Sequence, residues 1–157
     1  MSTLLDVDIQ RVIDTPDLPS DDALAHWANC AWQQNEPSEI TLRIVDEAEI
    51  AELNQTYRHK AGATNVLSFP FEAPPGITLP LAGDLVVCAA VVAREASQQG
   101  KPLAHHWAHM VVHGVLHLQG YDHIEEHEAE EMEALEVRLL ASLGIPNPSD
   151  VDEATDR

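Results

Sequence analysis

The segment LAHHWAHMVVHGVLHL, set between Pro102 and Gly120, constrains this chain more than any other. Proline is tolerated at a helix start, where its missing N–H would have no partner, and glycine is a common helix stop. The segment therefore reads as a helix, which gives each of its histidines a direction. His113 and His117 are four apart, so they share one face, one turn apart, where both imidazoles can reach a single ion. Gly120 can adopt a left-handed conformation and turn the chain, so that His123 returns to the same ion from the loop. Three neutral imidazoles suit zinc and leave a coordination position open for water or substrate. Nickel or another divalent ion also accepts such ligands. The competing reading is a wet, histidine-rich helix, or core histidines satisfied by backbone. Three histidines at this spacing, with the glycine in place, favour the metal.

The spacing is that of the metzincin pattern H-E-x-x-H-x-x-G-x-x-H, except that Gly114 stands where the glutamate base belongs. A missing general base costs roughly 10²–10⁴ in rate, which weighs against a zinc peptidase. His106 and His109 fall on the face of His113 and His117. They are either outer-sphere donors and cleft-lining groups, or half-buried packing residues. His105 points away from that face, and His127 lies in an acidic helix as a solvated residue. Asp122 either orients a ligand histidine or caps the next helix.

The rest of the chain alternates strands and helices. Residues 4–13 and 39–45 alternate apolar and polar residues and read as strands, as do 64–69 and 83–88. Ser20 offers a cap for the helix DDALAHWANCAWQQ. Asp46 with Glu49 resembles a capping box for a helix to about Tyr57. Pro70 to Pro80 reads as a loop. AAVVAREASQQ reads as a helix ended by Gly100, and a last helix spans about 125–143, with Met132, Leu135, Leu139 and Ser142 or Leu143 at helical spacing. The order β-α-β-α-β-β-α-α-α predicts an α/β (α+β) fold with a mixed four-stranded sheet covered by helices. One domain over 1–146 is expected, followed by a disordered acidic tail over 147–157.

With 157 residues the chain can bury a sizeable core. No stretch approaches the roughly 20 apolar residues of a membrane span, and MSTLLDVDIQ lacks a basic n-region, so a cytoplasmic protein is expected. Cys30 and Cys88 form no CxxC pair and read as buried, reduced core residues. The net charge of −19 repels polyanions, and of the eight Lys and Arg residues only Arg58 and Lys60 sit close together. Any nucleic acid must therefore be met locally. Arg58 sits near a predicted helix end, where its guanidinium can clamp a phosphate or simply oppose the helix dipole.

HGVLHLQGYDH resembles the signature of the YbeY family of bacterial endoribonucleases, close to the enterobacterial type. LNQTYR followed by TNVLSFP is similar to that family's second block, and Gly83-Asp84-Leu85-Val86 to its third. The resemblance runs from about residue 40 to 143. It implies an α/β fold with a metal cleft between sheet and helices, zinc on His113, His117 and His123, and a catalytically important Arg58. The implied activity is single-strand-acting endoribonuclease chemistry in ribosomal RNA maturation, notably the 3′ end of 16S, and in ribosome quality control. The implied partners are single-stranded or ribosomal RNA and the ribosome. Many members carry Asp where this chain has Asn65.

Bound zinc lowers the pKa of its water toward roughly 7, so a strong side-chain base is dispensable. Arg58 would offset charge building on the phosphorus oxygens. The attacking group is either that water or the substrate's own 2′-hydroxyl. Two other readings remain at this point: a zinc peptidase-like hydrolase, and a non-catalytic ribosome-associated factor stabilised by its metal.

Overall fold

The computed structural model describes residues 4–13, 15, 17–33, 36–71, 82–119 and 126–145, without the side chains of 126–129. The elements are β1 (Leu5–Arg11), α1 (Asp21–Ala31), β2 (Ser38–Val45), α2 (Glu47–Arg58), β3 (Val66–Pro70), β4 (Gly83–Cys88), α3 (Ala89–Gln99), α4 (Leu103–Leu118) and α5 (Glu126–Ser142). The sheet runs β1-β2-β4-β3. β1, β2 and β4 are parallel neighbours, and β3 pairs antiparallel with β4. The expected mixed sheet is therefore present, with β1 and β3 at its edges.

Alternation along β2 divides the sheet into two faces. Ile40, Leu42 and Ile44 are buried on one face, while Thr41 and Arg43 on the other are half-buried. α1 lays Leu24, Ala28 and Ala31 on the first face. α4 joins it with Trp107, Val111, Val112, Val115 and Leu116, all at most 1% exposed. Truncating one such leucine to alanine costs about 2–5 kcal/mol. A smaller core lies on the opposite face, where Val45, Ile50, Leu67, Val86, Cys88 and Val91 cluster. α2 covers only part of that face. Asp8, Thr41, Asp84 and Phe69 form one cross-strand row beyond it.

The helix starts follow their caps. Ser20 Oγ accepts from Ala23 N at 3.1 Å, and Asp46 Oδ1 accepts from Glu49 N at 2.9 Å. Glu49 does not complete a reciprocal capping box: its carboxylate accepts from Arg43 Nε at 2.7 Å. The third strand starts at Val66 rather than Thr64 and extends to Pro70, one residue into the expected loop. Proline is tolerated there because β3 is an edge strand. Cys88 is buried as expected, but Cys30 is only half-buried, its Sγ 3.5 Å from Ser142 Oγ. In α5, Met132 and Leu135 are buried as their spacing suggested, Leu139 and, one residue past the helix, Leu143 pack half-buried against the same core, and Leu140 is buried with them. The residues 72–81, most of the expected Pro-rich loop, and the acidic tail lie outside the described residues, as do Gly120, Asp122 and His123.

Candidate metal centre

α4 presents a row of imidazoles. His106 and His109 ring centroids are 6.0 Å apart, His109 and His113 6.4 Å, and His113 and His117 4.6 Å. The i, i+3, i+7 and i+11 positions put all four on one helix face. His105 is not in the row. At its C-terminal end, His113 Nε2 and His117 Nε2 are 3.1 Å apart. Two nitrogens each about 2.0–2.1 Å from one tetrahedral zinc ion would lie about 3.3 Å apart, so this pair fits the ion. Among the described residues no three His, Cys, Asp or Glu side chains gather closely enough to hold a metal. The expected third ligand, His123, lies outside them.

Behind the pair stands a residue the sequence reading missed. Glu136 of α5 is 6% exposed, and its Oε2 is 2.9 Å from His113 Nδ1. Nδ1–H therefore donates to the carboxylate, which leaves the Nε2 lone pair directed at the pair's common point. His109 Nε2 is 3.7 Å from Glu136 Oε1, near enough for charge attraction but too far for a hydrogen bond. Burial alone would raise the Glu136 carboxyl. The imidazoles of His109 and His113 outweigh it and hold the group at about 2. The signal was present in the sequence: Glu136 falls between Met132, Leu135 and Leu139 on the apolar stripe of its helix. A carboxylate in a buried stripe needs a partner.

His106 belongs to a separate network. It is 2% exposed, and its Nε2 is 2.9 Å from Glu95 Oε1. Burial pushes its imidazole below the ordinary value, against the smaller opposing pull of Glu95. Asn65 Nδ2 donates to both Glu95 oxygens, at 3.1 and 3.3 Å. An aspartate at position 65 would face that carboxylate without a donor, so asparagine suits this chain's Glu95.

Gly114 has a structural reason. A methyl group on it would lie 2.6 Å from Leu85 Cδ2 and 3.4 Å from Val66 Cγ2. Ser68 Oγ donates to the Gly114 carbonyl at 3.3 Å. The position that carries a base in the metzincin pattern is here pressed onto β3 and β4, with no room for a glutamate. Gly83 is equally constrained: its φ is +143°, and a methyl there would lie 2.3 Å from the Phe69 carbonyl oxygen.

Arg58 ends α2 and is exposed. His59 follows in the left-handed region, at φ 58°. Buried Asn54 donates to the Gly62 carbonyl at 3.0 Å, which ties down this turn. Arg11, Arg43 and Arg94 are paired with Asp21, Glu49 and Glu47. Among the described residues Arg58 and Lys60 form no ion pair with an acid.

A family model described as Endoribonuclease YbeY matches residues 17–144. Relatives from two strains of Pseudomonas putida, each named Endoribonuclease YbeY, are 59% identical over 152 residues, covering 96% of this chain and of each relative. The chain belongs to the YbeY family. These relatives are pseudomonad, so the likeness to the enterobacterial type is the looser part of the resemblance. The solution structure of TM1509 from Thermotoga maritima superposes on this YbeY chain with a TM-score of 0.57 at 23% identity, covering 87% of this chain and 86% of the other. That likeness shows the fold. The family match spans Arg58, His113, His117, His123 and Glu136.

Proposed function

We propose that this YbeY chain is a metal-dependent, single-strand-specific endoribonuclease that matures ribosomal RNA, including the 16S 3′ end, and serves ribosome quality control in the cytoplasm. Membership of the family carries the activity. The convergence of His113 and His117 Nε2 atoms, backed by Glu136, supports the metal. His113, His117 and His123 hold one zinc ion, or nickel or another divalent ion. No helix among the described residues is long and apolar enough to cross a membrane.

The ion, when bound, supplies Lewis acidity and a lowered water pKa. The chain's own groups do the rest. Glu136 fixes the tautomer and orientation of His113. Arg58, with no carboxylate to satisfy among the described residues, takes a non-bridging phosphate oxygen and offsets charge developing there. Gly114 carries no side chain, so the metzincin base is absent at that position. The net charge of −19 limits phosphate contacts to this neighbourhood. Binding to naked RNA is therefore weak, with a shallow salt dependence, and the ribosome contributes affinity.

Metal content by native mass spectrometry tests the ligand set. One ion per chain is expected, lost in His113→Ala, His117→Ala and His123→Ala alike. Retention in His123→Ala would remove that residue from the set. End-group analysis of the cleaved RNA separates the two attacking groups, since a 2′,3′-cyclic phosphate points to the substrate's 2′-hydroxyl.

A further inference from the structure

The sheet face opposite α4 carries a cavity that neither the metal ligands nor Arg58 explain. It measures about 510 Å³, with Arg43, Glu49, Leu53, Tyr57, Phe69 and Asp84 in its lining. Its wall is one stripe of α2, since Glu49, Leu53 and Tyr57 are spaced by four. Its floor is the row Thr41, Asp84 and Phe69, paired across β2, β4 and β3.

Two aromatic rings meet in this lining, Phe69 from the floor and Tyr57 from the wall. Tyr57 is 63% exposed and meets Phe69 edge-to-face, with centroids 5.4 Å apart and planes at 74°. That geometry leaves at least one face of each ring clear of the other. Most large apolar side chains here are buried, whereas Tyr57 is open and sits one residue before Arg58 at the end of α2. The interior is unsuited to a phosphate: Arg43 is already paired with Glu49, and Asp84 is acidic. A neutral, flat, apolar group with polar edges suits both the rings and the floor.

The cavity and α4 are linked through the β3–β4 pair. Tyr57 is in the last turn of α2 and packs on Phe69. Phe69 pairs with Asp84, and Pro70 with Gly83. On the other face, a methyl on Gly83 would lie 2.9 Å from Leu118 Cδ2, at the end of α4 one residue past His117. The C-terminal ends of α2 and α4 thus meet the same end of the β3–β4 pair from opposite sides.

Resting on the endoribonuclease reading above, we infer that Tyr57 and Phe69 form a stacking platform for one unpaired nucleobase of the RNA substrate, with Asp84 facing the base edge. Bases stack on aromatic rings regardless of sequence, and a flexible single strand can turn a base in where a duplex cannot. The Asp84 carboxylate only accepts hydrogen bonds, so it favours bases with an exocyclic amine, guanine, cytosine or adenine, over uracil, whose only base donor at that edge is N3–H.

The test uses the full chain and fluorescent single-stranded RNAs, intact or with one abasic residue moved along the strand. Tyr57→Ala is expected to weaken binding between about fivefold and a hundredfold, and Tyr57→Trp to retain it. In cleavage assays Tyr57→Ala raises KM and leaves kcat within about twofold. One abasic position should weaken the wild type but not Tyr57→Ala, because the stack is already gone. Asp84→Asn should narrow the preference for cytosine over uracil. A wild type that binds and cleaves RNA while Tyr57→Ala does so equally, or that ignores every abasic position, overturns the platform and leaves the endoribonuclease reading standing. Loss of affinity for a basic protein segment, with RNA affinity unchanged, would assign the face to a protein instead. A wild type that neither binds nor cuts RNA overturns both.

Discussion

Replacing Gly114 by alanine separates two explanations for the missing metzincin glutamate: a lost base, or a position with no room for one. The added methyl would lie 2.6 Å from Leu85 Cδ2, 3.3 Å from Leu85 Cδ1 and 3.4 Å from Val66 Cγ2. Leu85 is 0% exposed, so its tip cannot swing into solvent. Overpacking of this kind costs about 1–3 kcal/mol. Alanine in a helix interior gains about 1 kcal/mol over glycine. With both Leu85 Cδ atoms too close at once, the balance should be a loss of up to about 2 kcal/mol. For a chain of this size that is a fall in Tm of up to roughly 8 °C. Denaturant unfolding of Gly114→Ala, Leu85→Val and the double variant measures the coupling. Leu85→Val removes both offending Cδ atoms, so the double variant should be more stable than the sum of the single effects predicts, by about 1 kcal/mol or more. Gly114→Glu, which drives a carboxylate into the same contact, should be destabilised further and gain no peptidase activity. A Gly114→Ala protein stabilised by the full helix-propensity gain, with no coupling to Leu85, would refute the packing explanation.

Glu136→Gln should weaken metal binding by about ten- to a hundredfold in chelator competition, because the amide supports the His113 tautomer less firmly; unchanged affinity would leave Glu136 a packing residue. Gly83→Ala adds a methyl 2.3 Å from the Phe69 carbonyl oxygen at a φ that alanine rarely adopts, so a loss of more than about 2 kcal/mol in chemical denaturation is expected, and near-neutral behaviour would contradict the close β3–β4 approach. His106 has a lowered pKa, chiefly from burial, so the unfolded chain binds this proton more readily than the folded one. Its contribution is complete above the ordinary histidine value of about 6.5 and is lost as pH falls through and below it, so a Tm profile between pH 7.5 and 5 should fall less steeply in His106→Gln than in wild type. Parallel profiles would contradict the assignment.

Much of the fold was legible because its elements are locally consistent. α4 and β4 have the bounds that Pro102 and the Gly83 block suggested, and alternation located β2. Strand order was not legible, since register depends on contacts between residues far apart in the chain. The His113–His117 pair was readable from helical spacing alone. Glu136 was not found, although its place on the α5 stripe marked it as a carboxylate needing a partner. Gly114 was legible as an absent base, but the reason for the absence lies in β4, which no local pattern reveals. The Asn65–Glu95–His106 chain joins three elements and has no local signature. Tyr57 was quoted as part of a motif, yet its exposure and its contact with Phe69 appear only once β3 is placed against α2.

The central claim is that the His113–His117 pair and Arg58 cut single-stranded RNA. It is tested most directly by incubating end-labelled RNA with zinc-loaded wild type, Arg58→Ala and His117→Ala, purified identically and verified as folded. The account predicts cleavage by wild type and loss of cleavage in both variants. Equal cleavage by all three would mean that the activity belongs to a contaminating nuclease, and cleavage by none, on free RNA and on intact ribosomes alike, would contradict the enzymatic assignment.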